Sequence, residues 1–165
     1  MKRIIWTIML SSMVLTLSGQ RTVDAIFDSY KGKSGYITVN INGGLLKLAA
    51  MFDKEDEELA FLASSISRIR ILALDDSRQS DEGFYNRVIK DIDSSLYEEF
   101  MDINSSGDQA KILVRAEGDM FTEFLMVVGG NDHALIQIKG RMSADDIKKL
   151  SSDMNHGGSD HIRYK

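Results

Sequence analysis

The sequence contains neither cysteine nor proline among its 165 residues. Without cysteine, disulfide scaffolds, lipid-anchored cysteines, thiolate zinc sites, iron–sulfur clusters and cysteine nucleophiles are excluded. Basic residues are also outnumbered by acidic ones, since 20 Lys and Arg stand against 25 Asp and Glu. Because binding to nucleic acid needs clustered Lys and Arg, we expect no nucleic-acid partner. The 43% of apolar and 27% of charged residues are typical of a globular domain.

The N-terminal residues have the order of a secretory signal peptide. Lys2 and Arg3 precede an apolar stretch over residues 4–17, and the small residues Ser18 and Gly19 follow it. This stretch is shorter than the roughly 20 residues that a transmembrane helix needs. We therefore expect no stable membrane insertion of the mature chain.

The favoured cleavage follows Gly19 and leaves Gln20 as the first residue. Cleavage after Ser18 and an uncleaved N-terminal anchor helix are the alternatives. We thus predict an exported protein, periplasmic or extracellular, with a signal peptide over residues 1–19, a single domain over 20–154 and a flexible tail over 155–165.

Periodicity predicts helices and strands in alternation along the mature chain. Val23, Ile26, Phe27 and Tyr30 have the spacing of an amphipathic helix. Helical signals cover residues 45–52 and 55–66, and strand signals cover 36–41, 68–74, 110–116, 121–128 and 134–139. The last three strands are joined by short glycine-bearing turns, which predict an antiparallel meander. Ser143 begins a final helix with the spacing of a capping box.

The longest helical signal lies between the second and third predicted strands. Phe84, Val88, Ile92, Leu96 and Phe100 recur every four residues. Tyr85, Tyr97 and Phe100 are expected to be core residues on this helix. The complete pattern predicts an α+β fold with an antiparallel or mixed sheet of about five strands and helices mainly on one face.

Strand alternation divides the sheet residues into an inner and an outer set. We expect the inner set, beneath the helices, to include Ile37, Val39, Ile71, Ile112, Val114, Leu125, Val127, Ile136 and Ile138. The outer set is more polar and comprises Tyr36, Thr38, Asn40, Lys111, Leu113, Arg115, Gln137 and Lys139. An outer face of this kind, or an edge strand, can accept a partner segment, and an ordinary solvated face is the alternative.

The order of these signals resembles a known family. The segments VNINGGLLKLAA, SRIRILALDD, KILVRAEGD, FLMVVGGNDHALIQIKG and SADDIKKL are similar to those of domain of unknown function 4252, a family of small exported proteins from Bacteroidetes. The resemblance covers roughly Asp24 to Ser152. It implies no established activity and no catalytic residues. Some members carry a lipid-anchoring cysteine, which this chain lacks. The frequent proximity of the family's genes to those of extracytoplasmic-function sigma factors implies a link to envelope signalling.

Three acidic or glycine-rich segments are candidates for ligand or catalytic chemistry. Asn42-Gly43-Gly44 could hold an anion on its backbone amides, but a glycine turn that lets helix and sheet pack closely is favoured. The acidic run 53–58 lacks the glycine that a calcium loop needs at its sixth position, which is Glu58. Asp75 and Asp76 could serve acid–base chemistry, and a polar turn is the favoured interpretation.

Histidines provide the remaining candidates. His133 lies in a predicted turn between strands, and no G-x-S-x-G element is present to supply a nucleophile for it. Asp153, His156, Asp160 and His161 could hold zinc, but a flexible polar tail is favoured. We accordingly assign no catalytic, cofactor-binding or metal-binding residue and expect no cofactor.

The absence of a convergent catalytic set, together with the export signal, favours a non-catalytic interaction or regulatory module of the cell envelope. An envelope protein is its expected partner, and its oligomeric state is left open. The alternatives are a small-ligand or anion-binding protein and, less favoured, a carboxylate-dependent hydrolase. A binding module predicts a broad apolar or aromatic patch, whereas the alternatives predict a concave pocket with converging polar groups.

Overall fold

Four α-helices and six β-strands make up the part of the chain that the computed structural model describes, namely residues 21–52, 57–75, 81, 83–105, 107–130 and 132–146. In chain order they are α1 (Val23–Tyr30), β1 (Tyr36–Asn42), α2 (Gly43–Phe52), α3 (Glu57–Ser65), β2 (Ile66–Leu74), α4 (Phe84–Asp91), β3 (Glu98–Asn104), β4 (Gln109–Glu117), β5 (Met120–Gly129) and β6 (Ala134–Ser143). A 3-10 turn, Ser94–Leu96, precedes β3.

The strands form one antiparallel sheet in the order β1-β2-β6-β5-β4-β3. The predicted α+β class and the meander of the last three strands are confirmed. The sheet has six strands rather than about five, because a segment predicted as helix forms β3. Edge strands β1 and β3 lie at opposite sides, and β6 and β5 lie in the middle.

Helix α1 forms where the apolar spacing predicts it. Val23, Ile26, Phe27 and Tyr30 are all buried. Thr22 caps the helix, since its hydroxyl oxygen accepts a hydrogen bond from the backbone N–H of Ala25 at 3.2 Å. The stripe of every third or fourth residue therefore becomes the face that packs on the sheet.

The prediction of one long helix over residues 84–100 is wrong. Helix α4 ends at Asp91, and the Asp93 carboxylate then accepts a hydrogen bond from the backbone N–H of Ser95 at 3.1 Å, which begins the 3-10 turn. Leu96 is exposed, so the four-residue spacing does not continue into the core.

Strand β3 then pairs with β4 through backbone hydrogen bonds and through ion pairs of Lys111. The Lys111 ammonium lies 2.7 Å from the Glu99 carboxylate and 2.8 Å from that of Asp102. A bulge between Glu99 and Met101 turns Phe100 outward, and this side chain is 73% exposed. Phe100 is therefore not a core residue, whereas Tyr85 and Tyr97 do pack against the core.

The core lies between the sheet and the two helices α1 and α4. Phe84 is completely buried and makes edge contacts with Tyr30 and His133, at ring-centroid distances of 5.7 and 5.8 Å. The strands contribute buried apolar side chains from one face of the sheet: Leu72, Leu113, Leu125, Val127 and Leu135. Helices α2 and α3 instead form the connection from β1 to β2 and contact β1, β2 and β6. That helices lie mainly on one face stays a prediction for the fold as a whole.

The assignment of the two sheet faces is mostly the reverse of the expected one. Leu125 and Val127 are inside, as predicted. Ile37 and Val39, expected beneath the helices, are 49% and 40% exposed, whereas Leu113, expected outside, is buried in the core.

Two more residues of the expected outer set belong to the helix-covered face. Gln137 is 1% exposed, and Tyr36 packs against the core. The ladder aligns Gln137 with Leu125, and Leu125 with Leu113, on one face. Alternation separates the two sets, but the side that meets the helices depends on what the helices carry.

Ser143 begins a helical turn as the capping box predicts. Its hydroxyl oxygen accepts a hydrogen bond from the Asp146 backbone N–H at 3.2 Å, and its own N–H donates to the Asp146 carboxylate at 2.8 Å. The rest of the predicted final helix, the signal peptide and the tail lie outside the described residues. Within the described residues, no helix is long and apolar enough to cross a membrane.

We expect Phe84→Ala to lower the free energy of unfolding by about 3–5 kcal/mol, because it leaves a cavity in the core. Phe100→Ala is the matched control and should change it by less than about 0.5 kcal/mol, since its ring is solvent-exposed. Urea unfolding followed by circular dichroism measures both. Equal losses would show that residue 100 is also a core position, as the long helix requires.

Candidate functional site

The face of the sheet opposite to the α1–α4 core is almost entirely apolar. We call it the open apolar face, and the ladder pairs its members across all six strands. They are Ile37, Val39 and Ile41 of β1; Ile69, Ile71 and Ala73 of β2; Ala134, Ile136 and Ile138 of β6; Phe124, Met126 and Val128 of β5; Ala110, Ile112 and Val114 of β4; and Glu98, Met101 and Ile103 of β3.

Solvent reaches this face from one edge strand to the other. Ile37 on β1 is 49% exposed, Met126 on the central strand β5 is 36% exposed, and Ile103 on β3 is 47% exposed. Val39, Glu98 and Met101 are also exposed, Val114 is buried, and the other members are half-buried by their strand neighbours. A core face would exclude water at such positions, so the described residues leave this face without an apolar cover.

Charge is nearly absent from the open apolar face. Glu98 is the one ionisable side chain among its eighteen members, and it lies on the edge strand β3. A surface that is apolar and uncharged at its centre is suited to burial against another apolar surface rather than to holding a small polar ligand.

Helix α2 carries a second group of exposed apolar side chains. Leu45, Leu48, Met51 and Phe52 are between 50% and 85% exposed. The helix begins directly after β1, and none of its residues is buried. Exposed apolar area therefore extends beyond the sheet.

The helix-covered face contains a buried chain of polar side chains instead. Arg70 Nε donates a hydrogen bond to Gln137 Oε1 at 2.7 Å, and Gln137 Nε2 donates to the Glu123 carboxylate. Arg70 also pairs with Asp24 on α1, and its guanidinium lies 4.2 Å from the ring centroid of Phe27. Arg70, Gln137 and Glu123, which are all buried, thus each have a partner, as a low-dielectric site requires.

Burial and neighbouring charges shift the pKa values of Asp24 and Tyr97, which lie beside these polar residues. Partial burial would raise the pKa of Asp24, but the positive charges of Arg70 and Lys139 outweigh it and lower the pKa below 3.8. Burial, followed by the charge of Glu123 and a hydrogen bond to it, raises the pKa of Tyr97. Tyr97 therefore stays a neutral hydrogen-bond donor to the carboxylate.

A cavity of about 180 Å³ adjoins this polar chain. Its lining mixes both signs of charge, with Arg115 and Lys139 against Asp24 and Glu123. These groups already pair with neighbours: Lys139 lies 3.6 Å from Asp24, and Arg115 lies 3.5 Å from Glu117. The arrangement holds α1 on the sheet.

The Asn42-Gly43-Gly44 turn is built for close packing. A Cβ at Gly43 would lie 2.9 Å from the carbonyl oxygen of Ile66. The Asn42 side-chain oxygen accepts a hydrogen bond from the Leu45 N–H at 3.0 Å and so occupies one helix-end amide. An open recess of about 610 Å³, which Lys47 and Arg141 also line, lies beside the turn.

The other residues considered from the sequence do not converge. His133 is buried against Phe84, and its Nδ1 has no hydrogen-bond partner in the part of the chain that is described. The Asp75 N–H donates to the Gly35 carbonyl at 3.1 Å, while Asp76 lies outside the described residues. Residues 53–56 and the tail cluster of Asp153 are outside them too. Over the described ranges, no group of three or more His, Cys, Asp or Glu could hold a metal ion.

Sequence reasoning placed seven of the eighteen members of the open apolar face in the expected inner set, and it assigned the start of β3 to a helix. The signal that bears on the choice is Arg70, a charged residue in the middle of an apolar strand, which needs a carboxylate partner. Asp24, in the first turn of α1, supplies that partner.

A family model that covers most of the sequence defines the class of protein. The model described as Domain of unknown function (DUF4252) matches residues 30–150. The chain belongs to this family, as its segments suggest. No curated protein matches the chain. No solved structure matches it either.

We expect Asp24→Asn to lower stability at pH 7 by about 1 kcal/mol, since the half-exposed pair is partly screened by solvent. Because folding lowers the pKa of Asp24, its contribution is complete above pH 3.8 and is lost as the pH falls through the lowered pKa. Unfolding measured from pH 7 to pH 2 should therefore show the two proteins converging in acid.

The control is Asp28→Asn, which alters an exposed carboxylate on the same helix. It should change stability by less than about 0.5 kcal/mol. A difference between wild type and Asp24→Asn that stays constant down to pH 2 would contradict the role of the charge.

Proposed function

We propose that the protein is a non-catalytic interaction module of the cell envelope and that its open apolar face binds a protein partner. The observation that carries the proposal is the exposure of Ile37, Met126 and Ile103, which span the full width of a six-stranded sheet. Leaving such a surface in water costs free energy that binding recovers. The proposal includes helices mainly on the α1–α4 side, which leaves the opposite face available.

The size of the face supports a macromolecular partner. Strands about 4.8 Å apart make the sheet roughly 24 Å wide, and the five residues over which each strand contributes to the face span roughly 17 Å, giving roughly 400 Å² in projection. Apolar patches of this extent are among the largest found on soluble monomers, where they often mark interaction sites.

The alternatives have less support. The small-ligand or anion reading requires free donors at the Asn42-Gly43-Gly44 turn, where Asn42 already accepts the Leu45 N–H. The hydrolase reading requires carboxylates that converge on a cavity, and the buried Glu123 is instead bound to Gln137. The open apolar face has no corresponding use in either of them.

Export is the second component of the proposal, and it rests on the N-terminal sequence. When the full chain is expressed in an exporting bacterium, we expect a mature protein that begins at Gln20. Intact-mass measurement of the exported fraction distinguishes this cleavage from cleavage after Ser18. Recovery of the uncleaved chain from the cell interior alone would contradict export.

The contact surface can be tested with a photo-crosslinking amino acid at position 126, in the centre of the open apolar face. Irradiation of cells that export this variant should produce covalent protein adducts. The matched control is position 96, another exposed apolar residue outside the face. Equal yields at positions 126 and 96, or none at 126, would contradict binding through the face.

A further inference from the structure

We propose that the partner bound on the open apolar face is a second copy of this chain, with the two sheets packed face to face about a two-fold axis. The inference rests on the proposed function of the face and adds the identity of its partner. It commits to a symmetric interface in which each copy contributes the same residues.

The area available supplies most of what a stable dimer needs. The roughly 400 Å² of flat projection underestimates the accessible surface, because side chains give the sheet relief. A standard interface takes about 800 Å² from each partner, and those at the lower end take about 600 Å². Burial of the whole face therefore approaches the lower end of the standard size without any contribution from the helices.

Charge favours the same conclusion. The chain has a net charge of −5, so two copies repel wherever their acidic surfaces approach. The centre of the open apolar face carries no charged member, and Glu98 lies at its rim on β3. Packing through this face brings the copies together where the repulsion is least and desolvates no central charge.

The chemistry of the face suits sheet-on-sheet packing. Its members are dominated by isoleucine and valine on β1, β2 and β6, and β-branched side chains form a firm, pleated surface. Two such sheets pack about 10 Å apart with their strands rotated by roughly 30° or 90°. A two-fold axis at the centre passes near Met126 and Ile136, which pair across β5 and β6.

Pairing through a sheet edge is the competing way to form a dimer. Strand β3 opposes it with Glu98, Glu99 and a bulge at Phe100. Strand β1 has no charged residue and is the more favourable edge. Edge pairing, however, leaves the apolar faces of both copies in water, whereas face-to-face packing covers them.

The first experiment measures the mass of the purified exported chain by sedimentation equilibrium. We expect a dimer. Met126→Lys should raise the dissociation constant by about 100-fold or more, because it places two ammonium groups together at a desolvated centre. Leu96→Lys, the matched control at an exposed apolar residue outside the face, should leave the dimer unchanged. Circular dichroism verifies that both variants are folded.

A second measurement uses the absence of cysteine from the chain. Met126→Cys provides a single thiol, and a short bis-maleimide should join two copies through it. Leu96→Cys should give no such product at the same protein concentration. Because Met126→Cys keeps a small apolar side chain in place of the methionine, this result does not depend on tolerance of a lysine.

Each outcome decides between the proposals. A dimer that is weakened by Met126→Lys and joined through Met126→Cys supports the second copy. A wild-type monomer overturns it, but leaves the proposed function intact if position 126 still crosslinks to a different envelope protein. A dimer that survives Met126→Lys without joining through Met126→Cys is formed elsewhere, and overturns the inference. A monomer without any adduct at position 126 overturns both proposals.

Discussion

The pairing of Arg70 with Asp24 ties helix α1 to one particular face of the sheet, and the character of the opposite face follows from it. Arg70 is 7% exposed, lies against the ring of Phe27, and connects through Gln137 to Glu123. A buried guanidinium needs these partners. Because side chains alternate along each strand, placing the polar chain beneath the helices sends the isoleucine-rich set to the other side. The most apolar face of the sheet is consequently the one that the described residues leave open.

That division explains how much of the fold could be predicted from the sequence. The spacing of Val23, Ile26, Phe27 and Tyr30 was sufficient for α1, and alternation was sufficient for five strands. Alternation also grouped most of the expected inner set correctly, although Leu125 and Val127 belong to the other face. Alternation could not predict which face lies against the helices, since a face of β-branched side chains is ordinarily a core face. The choice depends on the long-range pair between Asp24 and Arg70, which no local pattern records.

The helix predicted over residues 84–100 is a second case in which contacts between distant residues decide the local structure. The four-residue spacing from Phe84 to Phe100 is real, but it is satisfied only as far as Ile92, where the chain leaves the helix. Beyond it, Lys111 of the neighbouring strand pairs with Glu99 and Asp102, and a bulge absorbs Phe100. Contacts across the sheet thus override the local helical periodicity. Strand β3 forms as a result, and the open apolar face extends over six strands.

The central claim is that the open apolar face is buried between molecules and not by the chain itself. Peroxide oxidation of methionine, followed by peptide mass spectrometry over a dilution series of the exported chain, tests it directly. Met126 should be protected at high protein concentration and become reactive on dilution, while Met51 on α2, 69% exposed, should react at a rate independent of concentration. Protection of Met126 that persists at every dilution would show an intramolecular cover and contradict the account.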